Sequence, residues 1–102
     1  MVSLTELTLF EIGEVMAEYE VRYVSGDMFD RKGRSNISGY CDFEERVIYI
    51  NRDQTEENRT STFFHEASHA YHEMYGLKDS ESHTSMVERN SMNEYRRLRD
   101  GT

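Results

Sequence analysis

The sequence predicts an α+β domain in which a short, mostly antiparallel sheet packs against two long C-terminal helices. Three observations carry this reading. Extended runs of β-type residues occur from Tyr19 to Val24 and at Val47-Ile48-Tyr49-Ile50. Apolar residues then recur at helical spacing from Phe63 to Tyr75 and again from Val87 to Leu98. No proline is present to interrupt either helix. With 102 residues the chain has room for one modest core, so residues 1–102 are read as a single domain.

Taken in order, Leu4, Leu7, Phe10, Val15, Met16 and Tyr19 fall at loose helical spacing, which predicts a first helix. From Tyr19 the pattern becomes alternating, with Tyr19, Val21 and Tyr23 on one side and Glu20, Arg22 and Val24 on the other of a strand that Ser25-Gly26 ends. Asp27 to Gly39 is rich in Gly, Ser, Asn and charge and reads as a loop. Ile37 to Phe43 and Arg46 to Asn51, separated by Glu44-Glu45, predict an antiparallel hairpin. Asp53 or Thr55 can cap a helix beginning near Glu56, whose early carboxylates suit the positive dipole end, and Gly76 can stop it. Asp79 or Ser80 can cap a last helix that runs to about Asp100.

Composition narrows the function classes. The formal net charge is −8, and basic residues gather only in Arg31-Lys32-Gly33-Arg34 and Arg96-Arg97-Leu98-Arg99, which read as solvated faces. Phosphate neutralisation needs a basic surface, so neither nucleic acid nor an anionic membrane is expected as a partner. Cys41 is the sole cysteine; it reads as a buried, inert thiol in a reducing, cytoplasmic compartment. Met1 to Gly13 lacks the basic start and apolar run of a targeting segment.

The chemistry concentrates in His65-Glu66-Ala67-Ser68-His69. Histidines four apart on a helix lie about 6 Å from one another on one face, the spacing at which two imidazoles share one zinc ion. Glu66 then stands beside the metal as the general base that activates water, which predicts zinc-assisted hydrolysis. Helical projection gathers Phe63, Phe64, Ala67, Ala70, Tyr71, Met74 and Tyr75 on the core side and sets His65, His69 and His72 on a separate arc. That arc reads as the lining of a cleft. His72 lies too far along the axis to ligate directly and reads as a cleft residue or a surface histidine. For the third ligand the last helix offers Glu88 and Glu94, and the segment before it offers His83. Projection favours Glu88, which falls within the buried arc of Val87, Ser91, Met92, Tyr95 and Leu98, whereas Glu94 lies at its margin. A carboxylate on a buried face requires a partner. Tyr71, His72, His83 and Tyr95 are candidates for a transition-state donor.

The run Thr62-Phe63-Phe64-His65-Glu66-Ala67-Ser68-His69-Ala70, preceded by Gly39-Tyr40-Cys41-Asp42 and Val47-Ile48-Tyr49-Ile50, resembles the small gluzincin-type metallopeptidases of phages and mobile elements, including ImmA-like relatives. Val87-Glu88-Arg89 is similar to the closing helix of such proteins. The resemblance implies a minimal zincin-like fold, a zinc cofactor held by His65, His69 and Glu88, Glu66 as catalytic base, and a peptide or protein substrate laid along a sheet edge. A second resemblance, to SprT-like zincins with a distant third histidine, makes His83 the runner-up ligand. A glycine usually follows that histidine, where this chain has Thr84. The alternative from another class is a non-catalytic zinc-binding or protein-interaction module.

Overall fold

The computed structural model describes residues 4–26, 38–77 and 81–100. These form helix α1 (Leu4–Glu18), strands β1 (Glu20–Val24), β2 (Gly39–Asp42) and β3 (Val47–Asn51), and helices α2 (Glu56–Met74) and α3 (Glu81–Arg99). The α+β reading holds: a small mixed sheet packs with three helices. Residues 27–37 of the expected Asp27–Gly39 loop, the strand start at Ile37 and the caps Asp79 and Ser80 lie outside the described residues, and Gly39 itself opens β2.

The sheet has the order β1-β3-β2. β2 and β3 form the expected hairpin, with Tyr40 opposite Tyr49 and Cys41 opposite Ile48. Its turn is set by Asp42, whose Oδ1 accepts from the backbone N–H groups of Glu44 and Glu45 at 3.1 and 3.0 Å. Arg46 closes the turn in the left-handed region, at φ 56°. β1 joins the other side of β3 in parallel, with Val21 beside Ile48 and Tyr23 beside Ile50. The sheet is therefore mixed, half parallel by pairing, where the sequence suggested mostly antiparallel strands. The hairpin leaves one edge of β3 open, and β1 fills it.

The central position of β3 explains its apolar run. Val47, Ile48 and Ile50 are all buried, each contributing roughly 1.5–3 kcal/mol relative to exposure. Ile48 and Ile50 form one core with Val15 and Tyr19 from the α1 end and Ala67 and Ala70 from α2. The two alanines let α2 lie close on the sheet. Several expected core positions are corrected. Phe10 and Met16 on α1 are 57% and 59% exposed. A three-stranded sheet has too little face to cover every apolar residue of a 15-residue helix, so Val15 and Tyr19 alone are buried among the expected α1 positions whose side chains are described.

α2 begins as expected. The Thr55 hydroxyl accepts from the Asn58 backbone N–H at 3.1 Å, and Glu56 and Glu57 follow in the first turn. It ends at Gly76, whose φ of 62° suits a residue with no Cβ, and the Leu77 N–H closes onto the His72 carbonyl at 2.8 Å. The face of α2 turned from the sheet is covered by α3 through buried Ser68, Thr84, Val87 and Met92, with Ser68 Oγ 3.3 Å from Thr84 Oγ1. α2 is thus held between the sheet and α3, and its histidine arc lies at that second seam. Leu98, expected on the buried arc of α3, is 65% exposed because the seam ends before the last turn. There Arg96 and Arg99 reach Glu57 on the exposed side, at 2.5 and 3.6 Å.

Candidate metal centre

Two turns of α2 and one of α3 build the site. His65 and His69 present their rings edge to face, with centroids 4.9 Å apart and the two Nε2 atoms 3.2 Å apart. Glu88 reaches across from α3 and places Oε2 3.0 Å from His65 Nδ1. Ser61, one turn before His65, donates its hydroxyl to Glu88 Oε1. A carboxylate only accepts, so the His65 ring donates Nδ1–H to Glu88. The two Nε2 atoms face each other, one donating to the other. All of these side chains are half-buried, which strengthens the hydrogen bonds relative to water.

Glu66 lies on the same cleft. Ser38, Gly39, Thr62, His65, Glu66 and Glu88 surround a space of about 280 Å³ between α2, α3 and the start of β2. The carboxylate of Glu66 also influences Cys41 on β2: burial, then the Glu66 charge, pushes that thiol up to about 12. Cys41 is half-buried, hydrogen-bonded with Tyr19, and stays protonated at neutral pH, in keeping with the inert thiol expected.

Zinc holds imidazole nitrogens at about 2.0–2.1 Å in tetrahedral geometry, which sets two such nitrogens about 3.3 Å apart. The His65 and His69 Nε2 atoms stand at 3.2 Å and match that spacing once the proton between them leaves. The carboxylate of Glu88 fits the site in a different manner, since it faces Nδ1, the ring nitrogen away from His69. Accordingly, among the described residues no three His, Cys, Asp or Glu side chains converge on one point. The chain offers zinc a pair of nitrogens at ligand spacing and, on the other side of one ring, a carboxylate within the reach of a side-chain rotation.

The remaining candidates are placed elsewhere. Glu94 pairs with Arg97 one turn along the same helix. His83 puts Nε2 3.2 Å from Glu11 Oε1 on α1 and stacks its ring 4.9 Å from that of His72. His72 is only 5% exposed, which removes the surface-histidine reading; it packs at the seam of α1, α2 and α3. Among candidate transition-state donors, Tyr95 donates to Glu56 Oε1 at 2.8 Å, and Tyr71 packs against Tyr75 with ring centroids 4.9 Å apart. Among the described residues, none of Tyr71, His72, His83 and Tyr95 lines the cleft.

Ser61 and Gly39 were not singled out by the sequence. Ser61 carried a usable signal, since it precedes His65 by four residues and therefore shares its face. Gly39 carried none, because its closeness to α2 arises only from the packing of strand on helix. No family model matches the chain, and no curated protein or solved structure matches it either. Among the described residues, no helix is long and apolar enough to cross a membrane.

Proposed function

We propose that this chain is a zinc-dependent metallopeptidase-type hydrolase whose metal is held by His65 and His69, with Glu88 as third ligand once its carboxylate turns from His65 Nδ1 toward the two Nε2 atoms. The observation that carries the reading is the 3.2 Å separation of the two Nε2 atoms on one face of α2, with Glu66 on the adjoining cleft. Bound zinc supplies a Lewis acid that polarises a peptide carbonyl and eases the deprotonation of water. Glu66 takes the proton of the attacking water and returns it to the leaving amine. β2 is an edge of the described sheet, and its Gly39 end borders the cleft, so an extended peptide pairing with that edge is carried past Glu66.

Elemental analysis of tag-free protein tests the reading, with about one zinc per chain expected. Glu66→Gln then keeps the metal while peptide hydrolysis falls by roughly 10²–10⁴-fold. Failure of the folded protein to take up added zinc overturns the proposal. Zinc bound with hydrolysis unaffected by Glu66→Gln leaves a metal-binding module without the proposed chemistry.

A further inference from the structure

We infer that the space between the end of β1 and the first turns of α2 is a binding site for a small organic carboxylate, held by Arg52 and Arg59. The inference is independent of the metallohydrolase reading, since the residues around this space are not those of the metal cleft.

Tyr23, Arg52, Glu56, Arg59 and Thr60 surround about 440 Å³, a volume suited to a small molecule. Arg52 and Arg59 form no basic run in the sequence; the turn from β3 into α2 brings them to one space. That turn is fixed, because the Arg52 N–H donates to the Val24 carbonyl at 2.8 Å and Gln54 Nε2 donates to the Asn51 carbonyl at 2.9 Å. Arg59 is fixed with it. Its Nη1 donates to the Arg52 and Gln54 carbonyls at 3.2 and 3.0 Å, while Nε and Nη2 have no partner among the described residues. A guanidinium anchored through Nη1 keeps the planar Nε–Nη2 edge that takes a carboxylate in two parallel hydrogen bonds. The Arg52 guanidinium likewise has no hydrogen bond or ion pair among the described residues. Glu56, the carboxylate on the lining, does not neutralise them. Its Oε1 accepts from Tyr95 on α3 at 2.8 Å, and among the described residues it pairs with neither arginine. Two guanidiniums and one carboxylate leave a single net positive charge, which matches a monoanion better than a phosphate dianion. The Thr60 hydroxyl already donates to the Glu56 carbonyl at 2.9 Å, so selectivity falls to the arginines and to Tyr23. The Tyr23 hydroxyl has no partner among the described residues, and its exposed ring offers an apolar face.

The probes are benzoate, its neutral isostere benzamide, and phenyl phosphate, each titrated at pH 7 into the whole chain and followed by the amide and arginine Nε–H signals. Benzoate should saturate, shift the Arg59 Nε–H, and bind at least about tenfold more tightly than benzamide and no more weakly than phenyl phosphate. Arg52→Gln should keep the wild-type amide spectrum away from the site and weaken benzoate about tenfold, because that side chain holds nothing else among the described residues. Arg59→Lys, which keeps the charge and loses the planar edge, should also weaken benzoate, and Tyr23→Phe should do so by about threefold. Benzamide binding as well as benzoate, or benzoate binding unchanged in a folded Arg52→Gln protein, overturns the inference. Tighter binding of phenyl phosphate than of benzoate overturns the assignment of a carboxylate. None of these outcomes bears on zinc, so the metallohydrolase reading stands or falls separately.

Discussion

Gly39 on β2 and Thr62 on α2 approach so closely that a methyl group on Gly39 would stand 2.7 Å from Thr62 Cγ2 and 2.5 Å from the Tyr49 carbonyl oxygen. The first contact can be eased by a side-chain rotation; the second meets the backbone of the central strand and cannot. Gly39→Ala should therefore force the start of β2 away from the β3 backbone at the lip of the cleft. Overpacking of this kind destabilises by about 1–3 kcal/mol, measurable as a lowered denaturant midpoint. Wild-type stability in Gly39→Ala would mean that the two strands do not approach this closely at Gly39.

The pairing of His83 with Glu11 separates the two candidate ligand sets. If His83 serves only to tie α3 to α1, then His83→Ala should leave zinc stoichiometry at the wild-type value and affinity within about twofold. The pair is partly exposed, so its loss should lower stability by about 1 kcal/mol or less. A His83→Ala protein that folds and loses its zinc would transfer the third-ligand role from Glu88 to His83.

Those two residues also mark where the sequence was legible. The spacing of His65 and His69 depends only on helix geometry, and the caps Thr55 and Gly76 depend only on local backbone chemistry, so both were readable from the chain. Glu88 was readable as a carboxylate on a helical face that meets the histidines. Which nitrogen it would face was not, because that depends on the Ser61 hydrogen bond and on the distance between α2 and α3. Phe10 and Met16 misled for the opposite reason: periodicity reports which residues share a side, whereas a small sheet decides how much of that side is covered.

Cys41 and Tyr19 predict the alkaline behaviour. Burial is the leading cause for both, and each is pushed up to about 12 in the folded protein from ordinary values of 9.0 and 10.0. The unfolded chain loses these protons first, so the stability they contribute is complete below about pH 9 and is lost as pH rises toward 12. Urea midpoints at pH 8, 9.5 and 11 should fall across that window, and Cys41→Ala should flatten the fall. At pH 8 the native thiol should react with iodoacetamide roughly tenfold or more slowly than a free cysteine. Rapid alkylation of folded protein would show the thiol to be open to solvent.

Gly76 offers a contrast with Gly39, since nothing stands within 4 Å of a Cβ built upon it. Its constraint is conformational alone, a φ of 62° that ends α2 and lets Leu77 close onto His72. Gly76→Ala should therefore destabilise by about 1–2 kcal/mol through left-handed strain, and Gly76→Asn, which tolerates that region, by less. No such ordering between alanine and asparagine is expected at Gly39, where added bulk of either kind clashes. Zinc affinity should be preserved in both Gly76 variants, because His65 and His69 lie at least five residues before the end of α2 and their spacing is set by intact helical turns. Equal losses for alanine and asparagine at Gly76, measured by urea denaturation, would show that the helix end does not depend on this conformation.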